Sequence, residues 1–280
     1  MKSQIRVRPA EEKDQKELEN LLRFEFFIHQ HLDWRPIFDW LGIQPFLIAE
    51  ENDEIIACLA APSEVNGVAW IRLFACSSKY SNEEMWDLLF KSLFPYYPGK
   101  INMIAILGIH NWFVNLLLTK SFVPYQNIIV FEWQQKKIQW ARHINEITIQ
   151  RATHKDLSEI SIIDSKSFAP LWQLPEESMQ KAFQQSGYTS IALHKGKIIG
   201  YQMCTESYSN AHLARLAVDP EYQGKKIGSA LLYDLLNYYV SHGIYKITVN
   251  TQDDNLPSQT LYKKFGFIKT EEKYPVLIYV

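Results

Sequence analysis

The chain repeats itself, and that limits what it can fold into more than any single motif does. IRVRPAEEKD (Ile5 to Asp14) and ITIQRATHKD (Ile147 to Asp156) share Ile5/Ile147, Ala10/Ala152, Lys13/Lys155 and Asp14/Asp156 at an offset of 142. Three more stretches follow in the same order. IAEENDEIIACL (Ile48 to Leu59) lies against IALHKGKIIGYQ (Ile191 to Gln202), AWIRLFACSSKY (Ala69 to Tyr80) against AHLARLAVDPEY (Ala211 to Tyr222), and LLLTKSFV against LYKKFGFI. A repeat this long is no short-period solenoid, and each copy is large enough to hold its own core. The reading is two copies of one α/β (α+β) fold, residues 1–138 and 139–280, joined near the polar and basic stretch Gln134 to Ile144.

The second copy gives the coarse pattern. A short strand, Ile147 to Gln150, precedes helices at about Lys155 to Phe168 and Glu176 to Gln185. A hairpin follows, with strands near Ser190 to Leu193 and Lys197 to Glu206 and HKGK as its turn. A fourth strand, Ala211 to Val218, leads to a helix with Ile227, Leu231, Leu232, Leu235 and Tyr239 on one face. Gly243 ends that helix as a left-handed cap. Strand KITVNT comes next, then a helix from about Pro257 to Phe265 and terminal strands. In the first copy, INMIAILGIHNWFVNLLLT (Ile101 to Thr119) approaches membrane-spanning length without a formal charge. Its register makes it a buried strand plus a helix instead, so no membrane partner is expected.

Composition excludes some functions. With 47% hydrophobic and 21% charged residues the chain can bury real cores. A net charge of −2 offers no basic excess for nucleic acid. Cys58, Cys76 and Cys204 are far apart and odd in number, which reads as buried thiols in a reducing cytoplasm. The opening MKSQIRVRPAEEKD has no apolar core of a secretory signal, so a cytoplasmic location is expected. His29 and His31 are too few and too close for a metal site, and no metal is expected.

Between the fourth strand and the long helix lies QGKKIGS, Gln223 to Ser229. A helix start exposes unpaired N–H groups and the positive end of the dipole, which together attract phosphate. Glycines let a ligand approach the backbone. Lysines are mildly unfavourable at a helix start unless an anion binds there, so Lys225 and Lys226 strengthen an anion-cradle reading. Neither the Walker pattern nor the dinucleotide G-x-G-x-x-G is present.

LAVDPEYQGKKIGSALL resembles the acetyl-CoA signature of the GNAT superfamily of N-acyltransferases, Q/R-x-x-G-x-G/A after a strand ending in a Leu-Ala-Val-like run. Gln223 and Gly228 match, while Lys226 stands where the family has glycine. DDNLPSQTLYKKFGF resembles the family's N-x-x-A/S-x-x-x-Y segment, with Asn255, Ser258 and Tyr262 in register. The resemblance covers roughly Thr189 to Phe267. It implies two tandem GNAT folds, each a mixed, mostly antiparallel sheet flanked by helices. It implies an N-acetyltransferase that passes the acetyl group of acetyl-CoA to a primary amine by direct attack in a ternary complex. The acceptor is a small molecule or a peptide, and the chain is a monomer or a homodimer. The alternative is a non-catalytic acyl-CoA-binding or protein-interaction module with the same fold.

The resemblance also assigns residues. Leu216, Ala217 and Val218 pair with the pantetheine arm, and the Val218 N–H polarises the thioester carbonyl. Gln223, Gly224, Lys225, Lys226, Ile227, Gly228 and Ser229 hold the pyrophosphate, and Asn255 and Ser258 contact the arm. Tyr262 takes the place of the family's general acid. The base is harder to find. His212 lies in an H-L-x-x-L-A-V context where arylalkylamine-acetylating members carry a histidine, and regular alternation puts it with Ala214, Leu216 and Val218. Glu206 is a second candidate. Arg215 falls on the opposite face of a regular strand, as a surface or interdomain residue, and Asp219 reads as a turn cap.

Aligned on Tyr80 and Tyr222, QGKKIG becomes SNEEMW in the first copy. Glu83 and Glu84 replace both lysines and Trp86 replaces Gly228; Leu117 stands at the Tyr262 position and His110 at that of Asn255. Two carboxylates there suit the helix dipole but repel pyrophosphate. The first copy is therefore expected to keep the fold without the acetyl-CoA site. Its aromatics between Phe24 and Trp40 are expected to pack a core rather than line an acceptor pocket.

Overall fold

The structure is a computed structural model that describes residues 4–135, 138 and 146–280. The chain divides into two compact units, residues 1–125 with 275–280, and residues 126–274. Most of the expected join, Gln134 to Ile144, lies outside the described residues, as does residue 139 of the expected cut. The grouping differs from a division at 138/139 in one respect: each unit takes a strand from the other repeat. The physical reason is that a strand joins whichever open sheet edge its backbone can pair with, and repeat membership does not enter.

Unit one contains β1 (Arg6–Pro9), α1 (Gln15–Phe24), β2 (Phe27–Gln30), β3 (Phe46–Glu51), β4 (Glu54–Ala60), β5 (Val68–Trp70), β6 (Leu73–Cys76), α2 (Asn82–Leu93), β7 (Met103–Leu107) and α3 (Asn111–Leu118). β8 (Val123–Gln134) begins in unit one and enters unit two at residue 126. Unit two adds β9 (Ile147–Arg151), α4 (Leu157–Ser167), α5 (Glu176–Gln185), β10 (Tyr188–His194), β11 (Lys197–Ser207), β12 (Asn210–Val218), α6 (Ile227–Ser241), β13 (Lys246–Gln252), α7 (Leu256–Lys264) and the first part of β14 (Ile268–Tyr279). Residues 276–279 of β14 pair antiparallel with β7, so unit one is completed by the end of the second repeat. Residues 128–134 of β8 pair antiparallel with β13, so unit two is completed by the end of the first.

In unit two the strands run β9-β10-β11-β12-β13-β8. All neighbours are antiparallel except β12 and β13. The same parallel pairing recurs in unit one between β5 and β7, where Val68, Ala69 and Trp70 face Met103, Ile104 and Ala105. Ile101 to Thr119 resolves into β7 and α3 as expected, and no described helix is long and apolar enough to cross a membrane. Cores form separately in each unit. Trp86, Phe74, Phe113 and Leu89 anchor unit one, and Trp133, Leu213, Leu235, Tyr239 and Val249 anchor unit two. The recurring Lys-Asp has a local cause. Asp14 and Asp156 each accept the backbone N–H three residues earlier, at Glu11 (2.8 Å) and Thr153 (2.7 Å), in matching capping boxes. All three cysteines are buried free thiols, pushed up to about 12 by burial.

The first repeat departs from the common pattern in two places. The counterpart of β12 is broken into β5 and β6. The short strand β2 stands where the second repeat has an irregular loop and a 3-10 turn at Pro170–Trp172. The aromatics between Phe24 and Trp40 divide: Trp40 is buried in a core and Phe38 packs against it, whereas Phe24 and Phe26 are 71% and 87% exposed.

Candidate active site

β12 and β13 pair only from Asn210↔Lys246 to Leu213↔Val249. Beyond that point β12 runs on to Val218 alongside β11 alone, and a wedge opens between the two parallel strands. Backbone alternation decides which groups face the wedge. The Asp219 N–H donates to the Ile199 carbonyl (2.9 Å), so Asp219, Ala217 and Arg215 bond to β11. Leu216 and Val218 therefore turn their amides away from β11, toward the wedge. The Val218 carbonyl, on that side, accepts from Ser167 Oγ (3.1 Å) and Gln223 Nε2 (3.1 Å).

At the end of the wedge lies the start of α6. Gln223 is turned back onto Val218, and Gly224 takes a left-handed φ of +75° in open space. Lys226 is the N-cap residue, also left-handed (φ 64°, ψ 15°), and its side chain makes no capping bond. A glycine would adopt this backbone freely, while a side chain costs on the order of 1–2 kcal/mol there. The first N–H groups of α6, from Ile227, Gly228 and Ser229 onward, thus have no side-chain cap. Gly228 faces Val218 and Leu261, and a Cβ built on it would meet the Leu261 methyl at 3.4 Å. Anything as large as tryptophan would fill the space between β12 and α7. The Lys225 ammonium reaches the Glu221 carbonyl (3.1 Å) and lies 4.7 Å from the centre of the Tyr222 ring.

The register of β12 corrects one expectation. A bulge at Ala214, between the pairs Cys204↔Leu213 and Met203↔Arg215, inserts an extra residue. Leu213, Leu216 and Val218 consequently share the face that packs beneath α6. His212 lies on the other face with Arg215, not with Leu216 and Val218 as regular alternation required. Arg215 is likewise no surface residue. Its guanidinium is paired with the buried carboxylate of Asp164, lies 3.9 Å over the Phe168 ring and donates to the Trp172 carbonyl at 2.9 Å. It ties β12 to α4 and to the loop that follows.

His212 Nδ1 lies 2.8 Å from Thr248 Oγ1, its partner across the parallel pair. Burial lowers its pKa, so the imidazole is neutral near pH 7. Tyr262 sits on α7 on the opposite face, in the core formed by Leu213, Val249, Phe131 and Phe267. Burial pushes its phenol above the ordinary value, and a hydrogen bond with Ser258 opposes that shift. The wedge is thus flanked by a histidine on one face and a tyrosine on the other. Glu206 does not join them: it is exposed, packs against Gly187 and pairs across from Ala211, whose side chain faces the core under α6. Asn255 is the N-cap of α7, its Oδ1 accepting from the Ser258 N–H at 3.2 Å. Asp219 Oδ1 accepts from the Glu221 N–H (3.0 Å) and caps the short turn before Gln223.

Sequence reasoning missed two residues, Gln126 and Asn127. They precede the β8 segment that pairs with β13, and hydrogen-bond to Asp254 and Asp253 just ahead of Asn255. Only the unforeseen strand exchange brings them here, and nothing in their own sequence signals it.

Residues 157–267 match the family model described as the acetyltransferase (GNAT) family. The chain is 25% identical over 114 residues to a putative [ribosomal protein bS18]-alanine N-acetyltransferase of Bacillus subtilis, which covers 40% of this chain and 74% of that protein. It is 38% identical over 56 residues to the glucosamine 6-phosphate N-acetyltransferase of Trypanosoma brucei brucei, 20% of this chain and 36% of that protein, so the match spans little over a third of that relative. A solved tandem GNAT protein from the clavulanic acid biosynthesis pathway superimposes with a TM-score of 0.61 at 11% identity, covering 99% of this chain and 98% of that one. The fold is that of GNAT proteins, and residues 157–267 are similar to the acetyltransferase (GNAT) family.

Proposed function

We propose that the chain is an acetyl-CoA-dependent N-acetyltransferase with its site in unit two, acting on a primary amine that attacks directly. The observation that carries this reading is the wedge between β12 and β13, open along Leu216 and Val218 and ending at the uncapped start of α6. The residues fit the cosubstrate. Uncapped amides from Lys226 to Ser229 suit a pyrophosphate, and the Leu216 and Val218 N–H groups with the Leu216 carbonyl suit an amide-bearing arm. Asn255 spends its carboxamide oxygen on its own helix cap, so it serves the site by fixing the start of α7.

Acetyl-CoA would supply an acetyl group activated as a thioester. The chain's residues do the rest. The Val218 N–H points into the wedge, where it can polarise a carbonyl oxygen. His212, neutral and with Nδ1 engaged by Thr248, offers Nε2 to take the proton that an ammonium must lose before it can attack. Tyr262 serves the leaving side. An ordinary phenol titrates near 10 and a thiol near 8.5, and burial raises the phenol further. Full proton transfer to sulfur is therefore uphill, and Tyr262 acts mainly as a hydrogen-bond donor. Base and donor stand on opposite faces of the sheet, so the amine and the departing sulfur need not compete for space.

Calorimetric titration of the whole chain with acetyl-CoA, followed by thiol release against a panel of small and peptidyl amines, tests the reading. One binding site together with release in at least one pairing is expected. Binding without release in any pairing would favour a non-catalytic acyl-CoA-binding module, and no binding would end the acetyl-CoA reading.

A further inference from the structure

Gln126 belongs to the first repeat by sequence and to unit two by structure. Its carboxamide makes two kinds of contact. Nε2 donates to both carboxylate oxygens of Asp254, at 3.0 and 2.8 Å, and Oε1 accepts from the indole N–H of Trp172 at 3.1 Å. Asp254 is in the turn between β13 and α7, the wall of the wedge that leads to Ser258 and Tyr262. Trp172 is in the loop between α4 and α5, held to the β12 wall by Arg215 on the Trp172 carbonyl and by Ser167 on the Val218 carbonyl. One side chain therefore connects the two walls. Asn127 anchors it: its N–H and Nδ2 donate to Asp253, at 3.1 and 2.7 Å, and its carbonyl accepts from the Asp253 N–H at 2.8 Å.

We infer that Gln126 is a positioning residue that sets the width of the wedge, a strut supplied to the second repeat's site by the first. Its kinetic consequence rests on the acetyl-transfer reading above. The anion cradle at the start of α6 involves neither Trp172 nor Asp254, so a loosened strut leaves cosubstrate affinity nearly intact and disturbs the approach of the amine. Small misplacements of reacting groups cost rate steeply.

Three forms of the full-length chain test this: Gln126→Ala, Gln126→Glu, and Gln126→Glu combined with Asp254→Asn. The glutamate alone sets two carboxylates against each other but can still accept from Trp172; the pair restores a donor by reversing its direction. The first readout is exchange of the Trp172 indole N–H, assigned with Trp172→Phe. The second is kcat/KM for an amine found in the panel, beside acetyl-CoA affinity. Gln126→Ala is expected to speed indole exchange and to lower kcat/KM about tenfold, with the acetyl-CoA Kd within about twofold. The double substitution is expected to recover most of the kcat/KM that Gln126→Glu loses. Unchanged indole exchange in Gln126→Ala overturns the strut. Faster exchange with unchanged kcat/KM overturns its positioning role, as does a lowered Tm with acetyl-CoA binding lost in parallel. If the intact chain acetylates no amine, the transfer reading fails by itself, and indole exchange still decides whether the strut exists.

Discussion

The starts of α2 and α6 occupy equivalent places in the two repeats and are built in opposite ways. In unit one Ser81 Oγ accepts from the Glu84 N–H (3.3 Å), the backbone before the helix is extended, and Trp86 is fully buried against Phe74, Phe113 and Phe122. In unit two Lys226 takes a left-handed turn with no side-chain cap, and Gly228 leaves space open. The strands before them differ as much. Aligned on the two tyrosines, Leu73–Cys76 stands where Arg215–Val218 stand. Along that segment unit one carries β2, with Phe27 opposite Cys76 and His29 opposite Phe74. The edge that is open at Leu216 and Val218 is closed in unit one by the chain's own backbone. His29 stacks on Phe113 at 4.5 Å and Phe27 packs edge-on against Trp112, which fills the rest. One architecture thus accommodates a groove or a plugged core, and four residues of strand with one tryptophan make the difference.

The comparison can be broken, and the largest effect is the sharpest attempt. Lys226→Glu with Gly228→Trp gives α6 the residues of α2, placing a carboxylate at the proposed pyrophosphate site and an indole in the space beside Val218. Acetyl-CoA affinity by calorimetry is expected to fall by about a hundredfold or more, since charge-assisted bonds become repulsion. Affinity within a few-fold of the parent would mean the cradle lies elsewhere.

The plug carries its own signature. Burial pushes His29 down to about 3, so it stays neutral when folded, while an exposed histidine takes a proton below about 6.5. The unfolded chain then binds more protons, and stability is lost as pH falls from about 6.5 toward 3. At pH 5 this linkage is worth about 2 kcal/mol. Denaturant melts of unit one's transition in His29→Leu should show a shallower acid slope than the parent between pH 7 and 5; parallel slopes would contradict it.

Next in size is the residue that unit one replaces with Leu117. Tyr262→Phe keeps the ring in its core and removes the donor. Turnover is expected to drop by about tenfold with acetyl-CoA affinity nearly unchanged. Unchanged turnover would reduce Tyr262 to packing. The smallest effect concerns strain. Lys226→Gly relieves the left-handed backbone and should raise stability by about 1 kcal/mol, read as a higher Tm. A lowered Tm would show that the Lys226 side chain contributes more than its backbone costs.

Much of this was legible in sequence because it is written locally. The capping boxes at Asp14 and Asp156, the apolar face of α6 and the departure at Lys226 all depend on neighbours within a turn or two. The illegible parts come from distant pairing. FIHQ in β2 has no period of its own and becomes a strand only because β6 offers an edge. The bulge at Ala214 is one residue long, yet it moves His212 off the face of Leu216 and Val218 and onto that of Arg215. The roles of Gln126 and Asn127 depend on a partner more than 125 residues away.

The exchanged strands also impose an order of events on the ribosome. Residues 1–125 emerge first, but Leu277, a member of their buried core, and the backbone that covers β7 are made some 150 residues later. At about 5–20 residues per second, the β7 edge is uncovered for roughly ten seconds or more. During that interval the nascent chain presents an apolar strand to any other that can pair with it. This favours a protector that holds the early half until the late half arrives, and any stop before residue 275 strands the first unit as well as the second.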